Sequence, residues 1–459
     1  MRSDDVIQAT GAEITGSGEG VAIRDVRTDS RQVRSGDLFV CLPGERADGH
    51  QFAVDAVQRG AVAVMAREDP PGIGNSVPVF RVGDCLTALG DLGAWWRQRF
   101  RGTLVAVTGS AGKTSLKELL ASILATRAET AKNYKNWNNR LGVPLSLLGF
   151  SGRESYWVLE AGVNQTGEMD ELARILRPDV ALIHNVGPAH LEGMGSQEGV
   201  AREKAKLAAA VREGGLLLAS SDYPLLNEAL PKRTDLRMMR FSCRKEQVPY
   251  RGEYLGHSGD RGVYRLHLDG TELEVAPGFR EGYQLENILA AAAAAWELGC
   301  DSGDIEAGLA DAQLPEHRSQ MHRVGDWSLI DDCYNSNPMS VRCALQSARE
   351  LAGSGTLIAI LGDMLELGDE AEAAHEEMGR EAARQGVDHL LYSGSFLREV
   401  ERGFREAGGC DGPRPVQAGE ELRSFCRGLQ PKGGTVLLKA SRGCRLERFL
   451  QVLQGELGV

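Results

Sequence analysis

A short loop bracketed by two glycines is the stretch of this sequence whose residue types most directly indicate chemistry. Residues 108–114 read Thr-Gly-Ser-Ala-Gly-Lys-Thr; an apolar, β-branched run precedes them and leucines at helical spacing follow. A strand, a glycine loop and a helix in this order can wrap a polyphosphate, because backbone N–H groups and the helix N-terminus face the anion. We therefore predict that a nucleotide binds to Thr108, Gly109, Ser110, Ala111, Gly112, Lys113 and Thr114.

Two side chains of this loop add further chemistry. Lys113 supplies a positive charge for a phosphate group, and the Thr114 hydroxyl can reach a magnesium ion. The loop is shorter than the ordinary Walker A pattern, which would place its first glycine where this chain has Val107. A turn followed by a chance Lys-Thr pair is the alternative, and the flanking strand and helix argue against it.

Further polar side chains are predicted near the same edge of a sheet. Asn138 and Asn139 precede a Gly-Val-Pro turn, Glu160 closes the next strand, and His190 follows the strand after that. Ligands of α/β sheets bind beyond the carboxyl ends of the strands. Singly, such a glutamate is usually a loop carboxylate, and such a histidine is usually structural. Together they predict a magnesium site, in which the His190 nitrogen is an unusual ligand because magnesium prefers oxygen.

A second group of charged side chains is predicted further along the chain. Arg318 precedes a strand at 327–331, Asp332 ends it, and Asn335 follows. The pattern repeats that of the earlier strands, with polar residues placed where a strand gives way to a loop. Arg318, Asp332 and Asn335 would form a polar rim on a second α/β domain, and this C-terminal rim could close over the nucleotide.

Strands and helices that alternate along most of the chain would position these side chains. The alternation predicts parallel sheets with right-handed crossovers, interrupted by a hairpin at 250–275, and the last helix is predicted at 443–453. We predict an α/β fold of three domains. They are a small N-terminal α/β domain (1–83), a central parallel-sheet P-loop ATPase domain (84–313) and a C-terminal Rossmann-like domain (314–459).

Composition limits the classes of function. The 459 residues carry a net charge of −12 without a basic run, so nucleic acid is a poor partner. The sequence has no apolar run of the about 18 residues that a membrane span needs, and its N-terminus lacks a signal-peptide core. The nine cysteines include no C-x-x-C pair, which argues against a metal knuckle or a disulfide framework. We expect a cytoplasmic enzyme, and a monomer because nothing demands an oligomer.

Jointly, the motifs resemble those of the Mur ligases, the ATP-dependent amide ligases of bacterial cell-wall synthesis. The patterns are T-G-S-x-G-K-T, N-x-N-N-x-x-G-x-P, L-E-x-G-x-N-x-x-G-E and G-P-A-H-L-E-G, and the resemblance spans all three domains. Residues 334–338 and 362–368 look like the member that joins D-alanyl-D-alanine to UDP-N-acetylmuramoyl-tripeptide, although Y-N-S-N-P and K-A-S-R replace Y-N-A-N-P and K-G-S-R. The resemblance implies an ADP-forming ligase that uses ATP and magnesium to make the UDP-muramoyl pentapeptide precursor of peptidoglycan.

Three alternatives stay open from the sequence. Another Mur-type amide ligase is one, but the member that adds the third peptide residue would carry an Asp-Asn-Pro-Arg motif, which this sequence lacks. A folylpolyglutamate synthetase shares the short loop and two α/β domains but generally lacks an N-terminal nucleotide-sugar domain. A nucleotide-gated binding module would bind ATP without turnover.

The resemblance also implies catalytic roles for individual residues. Lys113, Lys204 and His190 would be catalytic, and Lys113 would neutralise charge on the transferring phosphoryl group. One magnesium ion would bind to Thr114 and Glu160. By analogy with the family, a second would bind to His190 and a carbamylated Lys204.

Binding roles follow from the same resemblance. Contacts to ATP would come from Asn287 at the adenine, Arg318 at the γ-phosphate, Asp332 at the ribose, and Asn335. The UDP-linked substrate would contact Ser30 and Arg31 at its uridine end, and Asn138 and Asn139 at its muramoyl part. From physical chemistry alone, a solvated turn is the better explanation of Ser30 and Arg31. Because Arg318 and Asp332 lie in another domain than the glycine loop, the C-terminal domain must move when substrate binds.

Lys204 has two possible roles, and helical periodicity and the family resemblance favour different ones. At about 100° per residue, Val200, Lys204, Leu207 and Val211 fall in one stripe of a helix, whereas Lys206 points away. A buried ammonium is costly, so periodicity alone favours a snorkelling side chain whose amine reaches solvent. The family resemblance instead implies a carbamate at this position, which would suit magnesium better than a cation.

Overall fold

The computed structural model describes residues 1–16, 20–44, 47–259, 261–429 and 433–458. Within these ranges the strands form three sheets, with helices packed against them. One sheet falls in each of the three predicted domains, so the predicted α/β class with three sheet-containing regions is confirmed. The domain boundaries themselves stay predictions. In the described ranges, no helix has the length and apolar character that crossing a membrane requires.

The first sheet consists of short strands: β1 (Glu13–Thr15), β2 (Val26–Arg27), β3 (Leu38–Val40), β4 (Ala63–Ala66) and β5 (Val79–Arg81). Its order is β1-β5-β4-β3-β2, with β1 antiparallel to β5 and the other pairs parallel. The helices of this region are α1 (Ser3–Thr10), α2 (Ala53–Gln58) and α3 (Cys85–Arg99). Asp84 caps α3 by accepting a hydrogen bond from the Thr87 N–H, and α3 leads to the next sheet.

The second sheet carries the glycine loop. Its strands are β6 (Thr103–Thr108), β7 (Thr130–Lys132), β8 (Tyr156–Glu160), β9 (Val180–Ile183), β10 (Leu216–Ser220), β11 (Arg237–Ser242), β12 (Tyr250–Ser258), β13 (Arg261–Leu268) and β14 (Thr271–Val275). Their order is β14-β13-β12-β11-β10-β9-β6-β8-β7, parallel from β7 through β12 and antiparallel from β12 to β14. The helices are α4 (Lys113–Ala125), α5 (Gly142–Gly149), α6 (Glu168–Leu176), α7 (Leu191–Met194), α8 (Gln197–Ala209), α9 (Pro224–Ala229), α10 (Leu285–Glu297) and α11 (Ser302–Asp311).

Both faces of β6 are buried, which explains its continuous apolar sequence. Val105 and Val107 belong to the core formed with α4 and α10, whereas Leu104 and Ala106 belong to the core on the opposite face. A parallel strand covered on both faces shows no polar alternation. Because β8 and β9 flank β6, the polar side chains that follow these three strands meet at one edge of the sheet.

Several elements of this region differ from the sequence expectation. The predicted hairpin at 250–275 is present as the antiparallel pair β12–β13, but it continues the central sheet, because β12 also pairs with β11 and β13 with β14. Alternation along the chain indicates strands and turns, but not the neighbour with which a strand pairs. Helix α5 was not predicted, nor were the strands β7 and β11 or the helices α7, α9 and α11. Pro144 lies in the first turn of α5, where a missing N–H costs no hydrogen bond.

The third sheet is also mainly parallel. Its strands are β15 (Gln320–Val324), β16 (Trp327–Asp332), β17 (Leu357–Gly362), β18 (His389–Ser393), β19 (Arg414–Pro415) and β20 (Gly434–Lys439). The order is β15-β16-β20-β17-β18-β19, with β15 antiparallel to β16 and the other pairs parallel. The helices are α12 (Pro338–Ala352), α13 (Ala371–Arg384), α14 (Leu397–Glu406), α15 (Gly419–Arg427) and α16 (Leu450–Leu457).

The predicted last helix at 443–453 is wrong in its first part. Two 3-10 turns, Arg442–Cys444 and Leu446–Phe449, replace it, and the regular helix begins at Leu450. Arg445, between the turns, has a left-handed φ of +52°, which an α-helix cannot contain.

Candidate nucleotide and metal site

In the loop between β6 and α4, two buried side chains lie so close to the backbone that two positions must be glycine. Gly112 has a φ of +74°, and a Cβ there would lie 2.5 Å from Asn287 Oδ1. A Cβ on Gly109 would lie 2.5 Å from the ring of His184. His184 and Asn287 are buried, so neither can move aside easily. The loop can therefore hold this shape only with glycine at the two positions.

Asn185, which follows β9, holds the loop in place. Its Oδ1 accepts hydrogen bonds from the N–H groups of Ser110 (2.8 Å) and Ala111 (3.0 Å), and its Nδ2 donates to the Ala111 carbonyl (3.2 Å). The Thr108 hydroxyl also has an internal partner, the Ala161 carbonyl at 2.8 Å. An anion in the loop would therefore meet the amides at the start of α4 rather than those of Ser110 and Ala111. Asn185 was not among the predicted site residues, although it lies just beyond the end of β9.

Thr114 and Glu160 bring two buried oxygen groups together beside the loop. Thr114 Oγ1 donates to Glu160 Oε2 at 2.8 Å, and Asn138 Nδ2 donates to Glu160 Oε1 at 2.7 Å. Asn133, which was not predicted, accepts from the Glu160 N–H at 3.0 Å. A hydroxyl and a carboxylate are ligands that magnesium prefers, so the residues present fit such an ion. Asn138 lies at this carboxylate and orients it.

Lys204 lies on α8 with its side chain completely buried. Val200, Leu207 and Val211 are buried as well, as the helical stripe predicts. Lys204 Nζ has no hydrogen-bond partner among the described residues, so the expectation of an amine that reaches solvent is wrong. Burial, reinforced by the positive charge of Lys113, lowers the pKa of Lys204 well below its ordinary value.

The two other lysines of this region have compensating partners. Lys113 is half-buried; burial lowers its pKa, and the negative charge of Glu160 opposes that shift. Lys206 Nζ contacts Asp170 at 2.6 Å and Glu203 at 2.7 Å. Carboxylates therefore balance the positive charge of Lys206 fully and that of Lys113 in part. The Lys204 amine, in contrast, is buried without a contact.

His190 contacts the C-terminal domain. Its Nδ1 lies in hydrogen-bonding contact with Glu366 Oε2, in the segment that follows β17. Both residues have a left-handed backbone, with φ values of +55° and +63°. The Glu192 N–H also donates to the Glu366 carbonyl at 3.3 Å. The Glu366 carboxylate therefore orients the imidazole, and a metal ion would meet its other nitrogen, Nε2.

The predicted C-terminal rim lies against the glycine loop. Asn337 Nδ2 donates to the Ser110 carbonyl at 3.4 Å. The Arg318 guanidinium lies over the ring of Tyr334, 4.1 Å from the ring centroid. Its positive charge also contributes to lowering the pKa of Lys113. The structure therefore brings the segment that carries Asn337 against the glycine loop, although the two belong to different domains.

Lys439, at the end of β20, joins two of the predicted nucleotide contacts. Its Nζ donates to Asp332 Oδ2 at 2.6 Å and to the Asn335 carbonyl at 3.1 Å. Asp332 also accepts from the Ser319 N–H at 3.2 Å, and Asn335 Oδ1 accepts from the Ser336 N–H at 2.9 Å. Lys439 was not among the predicted site residues, and its place at a strand end was the signal that could have found it.

Asn287 lies in the first turn of α10, beside Gly112. Its Nδ2 donates to Gln284 Oε1 at 2.8 Å. The adjacent Glu286 accepts from the Tyr223 hydroxyl at 3.0 Å, and burial raises the pKa of Glu286 to about 8. Gln284 and Glu286 were not predicted. Amide and protonated carboxyl groups donate and accept hydrogen bonds, as recognition of a planar base requires.

A cavity of about 520 Å³ lies between the first sheet and α5. Tyr134 and Trp137 line it and are exposed despite their size. Asn139 also lines it, while its Oδ1 accepts from the Gly142 N–H at 2.9 Å. Aromatic faces and amide groups around a concave space suit a substrate with a ring system and polar substituents.

Ser30 and Arg31 lie beside this cavity rather than on its wall. The wall includes Asp29 and Gln32, on either side of them. The Ser30 side chain is buried, and the exposed Arg31 guanidinium contacts Asp29 at 2.8 Å. Neither side chain therefore faces the cavity as a free donor.

Comparison with known proteins identifies the family. The model described as "Mur ligase family, catalytic domain" matches residues 22–94, "Mur ligase middle domain" matches 107–295, and "Mur ligase, glutamate ligase domain" matches 317–442. The UDP-N-acetylmuramoyl-tripeptide–D-alanyl-D-alanine ligase of Bacillus subtilis (strain 168) is 31% identical over 445 residues, which cover 95% of this chain and 94% of that relative. The chain belongs to the Mur ligase family. This membership confirms the predicted family and the ligase class.

Solved structures of Mur ligases share the fold over nearly the full chain. MurF from Acinetobacter baumannii is 30% identical with a TM-score of 0.89, and the match covers 99% of this chain and 98% of that one. The MurF ligase from Thermotoga maritima, solved in complex with ADP, is 28% identical with a TM-score of 0.82, and the match covers 95% and 98%. The Mur ligase architecture therefore applies to all three sheets.

Proposed function

We propose that this Mur ligase joins D-alanyl-D-alanine to UDP-N-acetylmuramoyl-tripeptide while ATP is converted to ADP and phosphate. The product is the UDP-muramoyl pentapeptide precursor of peptidoglycan. The match to the Bacillus ligase of that name over 95% of this chain carries the proposal. Because the match extends beyond the nucleotide loop to the N-terminal and C-terminal sheets, it supports the choice of substrates as well as the use of ATP.

The site supports a route through an acyl phosphate. The terminal carboxylate of the tripeptide attacks the γ-phosphorus of ATP, and ADP leaves. The amino group of D-alanyl-D-alanine attacks the acyl carbon, and the tetrahedral intermediate expels phosphate as the amide forms. Lys113 and the amides at the start of α4 neutralise charge on the transferring phosphoryl group.

Magnesium fits the side chains beside the loop. Thr114 and Glu160 would hold one ion through their buried oxygens, and His190 and a carbamylated Lys204 would hold a second. Bound magnesium would supply positive charge against the phosphate oxygens of ATP. Asn138 keeps the Glu160 carboxylate in a fixed orientation for this role.

The surroundings of Lys204 support the carbamate. An uncharged amine is the form that attacks carbon dioxide, and burial favours that form here. The nitrogen bonds to the carbon of carbon dioxide and loses a proton to solvent, which leaves an anion. A buried amine without a contact is then replaced by an anion that can bind a metal ion.

The C-terminal domain and α10 would complete the nucleotide site. Asn287 would contact the adenine, Asp332 and Asn335 the ribose, and Arg318 the γ-phosphate. The contact of Asn337 with the Ser110 carbonyl supports this arrangement, because it already holds the C-terminal domain at the loop. Movement of the C-terminal domain on substrate binding stays a prediction, because the two domains are already in contact in this geometry.

The cavity beside α5 would hold the UDP-linked substrate. We assign its uridine end to the surroundings of Ser30 and Arg31, with Tyr134 and Trp137 offering aromatic faces. Asn139, on the same wall, would contact the muramoyl part, and Asn138 lies between that wall and Glu160. On this assignment, the peptide of the substrate would extend toward the glycine loop.

Product analysis with each substrate omitted in turn tests this function. The enzyme, ATP and magnesium should convert UDP-muramoyl-tripeptide to the pentapeptide, seen by mass spectrometry, only when D-alanyl-D-alanine is present. Formation of ADP that required folate and glutamate, instead of the UDP-muramoyl-tripeptide and D-alanyl-D-alanine, would identify a folylpolyglutamate synthetase. ATP binding without any product would favour a nucleotide-gated binding module.

A further inference from the structure

Three side chains with different metal-binding atoms converge at the end of β16, apart from the magnesium site proposed above. His317 Nδ1 lies 2.6 Å from Asp331 Oδ2, and Cys333 Sγ lies 2.8 Å from Asp331 Oδ1. The three donor atoms all lie within 4.8 Å of one another. Asp331 and Cys333 are buried, while 28% of the His317 side chain is exposed. An ion could therefore enter past the imidazole and reach the two buried donors.

The backbone holds this cluster in position. His317 has a left-handed φ of +59°, and its carbonyl accepts from the Tyr334 N–H at 3.1 Å. Its own N–H donates to Gln320 Oε1 at 3.2 Å, and Gln320 pairs with Asp331 across the β15–β16 ladder. The three donors thus come from two segments that are already fixed to each other, so binding an ion would require little ordering of the chain.

We propose that His317, Asp331 and Cys333 bind a zinc ion. Imidazole nitrogen, carboxylate oxygen and thiolate sulfur are all zinc ligands, and three of them leave one tetrahedral position open. Magnesium prefers an all-oxygen set and does not suit this cluster. On binding, the Cys333 sulfur bonds to zinc and its proton passes to solvent.

Glu447 is the candidate for the fourth position. Its Oε2 is buried and has no hydrogen-bond partner among the described residues, while its Oε1 contacts Arg442 at 3.2 Å. Glu447 lies in the turn Leu446–Phe449 that follows β20, and β20 is the parallel neighbour of β16, at whose end the cluster lies. Zinc would supply a ligand partner for the Glu447 oxygen that Arg442 leaves without one.

The site adjoins two proposed nucleotide contacts without including them. Arg318 follows His317 directly, and Asp332 lies between Asp331 and Cys333. Without a metal, Asp331 simply accepts hydrogen bonds from the imidazole and the thiol. The zinc proposal is independent of the substrate assignment, because it depends on the donor atoms alone.

Cobalt substitution tests the site directly. The full-length protein, stripped of metal by a chelator, is titrated with Co²⁺ and then with Zn²⁺. We expect one Co²⁺ per chain, a tetrahedral visible spectrum and a thiolate-to-cobalt charge-transfer band, all abolished by one equivalent of Zn²⁺. The absence of stoichiometric Co²⁺ and Zn²⁺ binding would overturn the proposal.

Matched variants identify the ligands. Cys333→Ser should remove the charge-transfer band, and His317→Gln should weaken Zn²⁺ binding more than about 100-fold, beyond the loss typical of an outer-shell change. Cys343→Ser, a half-buried cysteine of α12, is the control and should bind as the unmodified chain does. A band that survives Cys333→Ser, or one that Cys343→Ser removes, would contradict the proposal. Circular dichroism verifies that each variant folds. If Cys333→Ser does not fold, the Zn²⁺ affinity of His317→Gln tests the proposal in its place.

Discussion

The His190 imidazole of the central domain lies in hydrogen-bonding contact with the Glu366 carboxylate of the C-terminal domain. His190 is a proposed magnesium ligand, and Glu366 follows β17 of another sheet. A carboxylate on the far nitrogen of a metal-binding histidine fixes its ring orientation and increases its basicity. The position of the C-terminal domain should therefore affect how tightly the central domain binds the metal ion.

Replacing Glu366 by glutamine tests this coupling. Glu366→Gln keeps the size of the side chain but removes its charge, so we expect magnesium to bind about 10-fold more weakly. Manganese binding to the protein with an ATP analogue, followed by electron paramagnetic resonance, measures this without turnover. Glu370→Gln, an exposed neighbour in the following turn, is the control. Equal affinities in both variants would show that the contact does not support the metal site.

Lys113 should be needed for turnover rather than for folding. It is half-buried at the start of α4, so Lys113→Ala should leave the fold intact. Loss of a preorganised charge at the transferring phosphoryl group should lower kcat by about 100- to 1,000-fold. Steady-state kinetics and circular dichroism measure the two effects. Near-normal turnover would mean that Lys113 is merely a solvent-facing lysine.

Lys204 and Lys206 lie on the same helix and should behave very differently. If Lys204 carries the carbamate, Lys204→Ala should lose most activity, and acetate or another short carboxylate should restore part of it. Lys206 takes part in partly exposed ion pairs, so Lys206→Ala should change turnover less than about fivefold. Full activity in Lys204→Ala, or a defect confined to Lys206→Ala, would reject the assignment.

Gly112 tests the shape of the loop. Gly112→Ala would place a methyl group against Asn287 at a left-handed φ, a strain of about 1–3 kcal/mol, so ATP should bind roughly 10- to 100-fold more weakly. The control is Gly455→Ala in α16, where an added Cβ meets nothing within 4 Å. Isothermal titration with a non-hydrolysable ATP analogue gives both affinities. Unchanged ATP binding in Gly112→Ala would argue against the loop as the phosphate site.

The sequence predicts strands at 103–108 and 156–160 and a helix at 168–176, and these match β6, β8 and α6, because their local patterns are strong. The face of α8 that carries Lys204 was also predicted. The complete burial of the Lys204 amine was not predicted. Helical periodicity shows which side of the helix a residue lies on, but not how much of the protein covers that side. Strand β15 was missed because Gln320–Val324 alternates weakly and is only partly buried.

Contacts between distant segments could not be read from the sequence. Asn185 accepts from Ser110 across 75 positions of the chain, and Glu366 reaches His190 across 176. Both depend on how sheets and domains pack, which local patterns do not encode. The site roles, the cytoplasmic location and the monomeric state stay predictions.

Transfer of labelled oxygen tests the central claim most directly. UDP-muramoyl-tripeptide carrying ¹⁸O in both oxygens of its terminal carboxylate is incubated with the enzyme, ATP, magnesium and D-alanyl-D-alanine, and the released phosphate is analysed by mass spectrometry. An acyl phosphate requires one carboxylate oxygen to leave with each phosphate as the amide forms. We therefore predict phosphate with a single ¹⁸O, in amounts equal to the pentapeptide. Unlabelled phosphate formed alongside the pentapeptide would contradict the account.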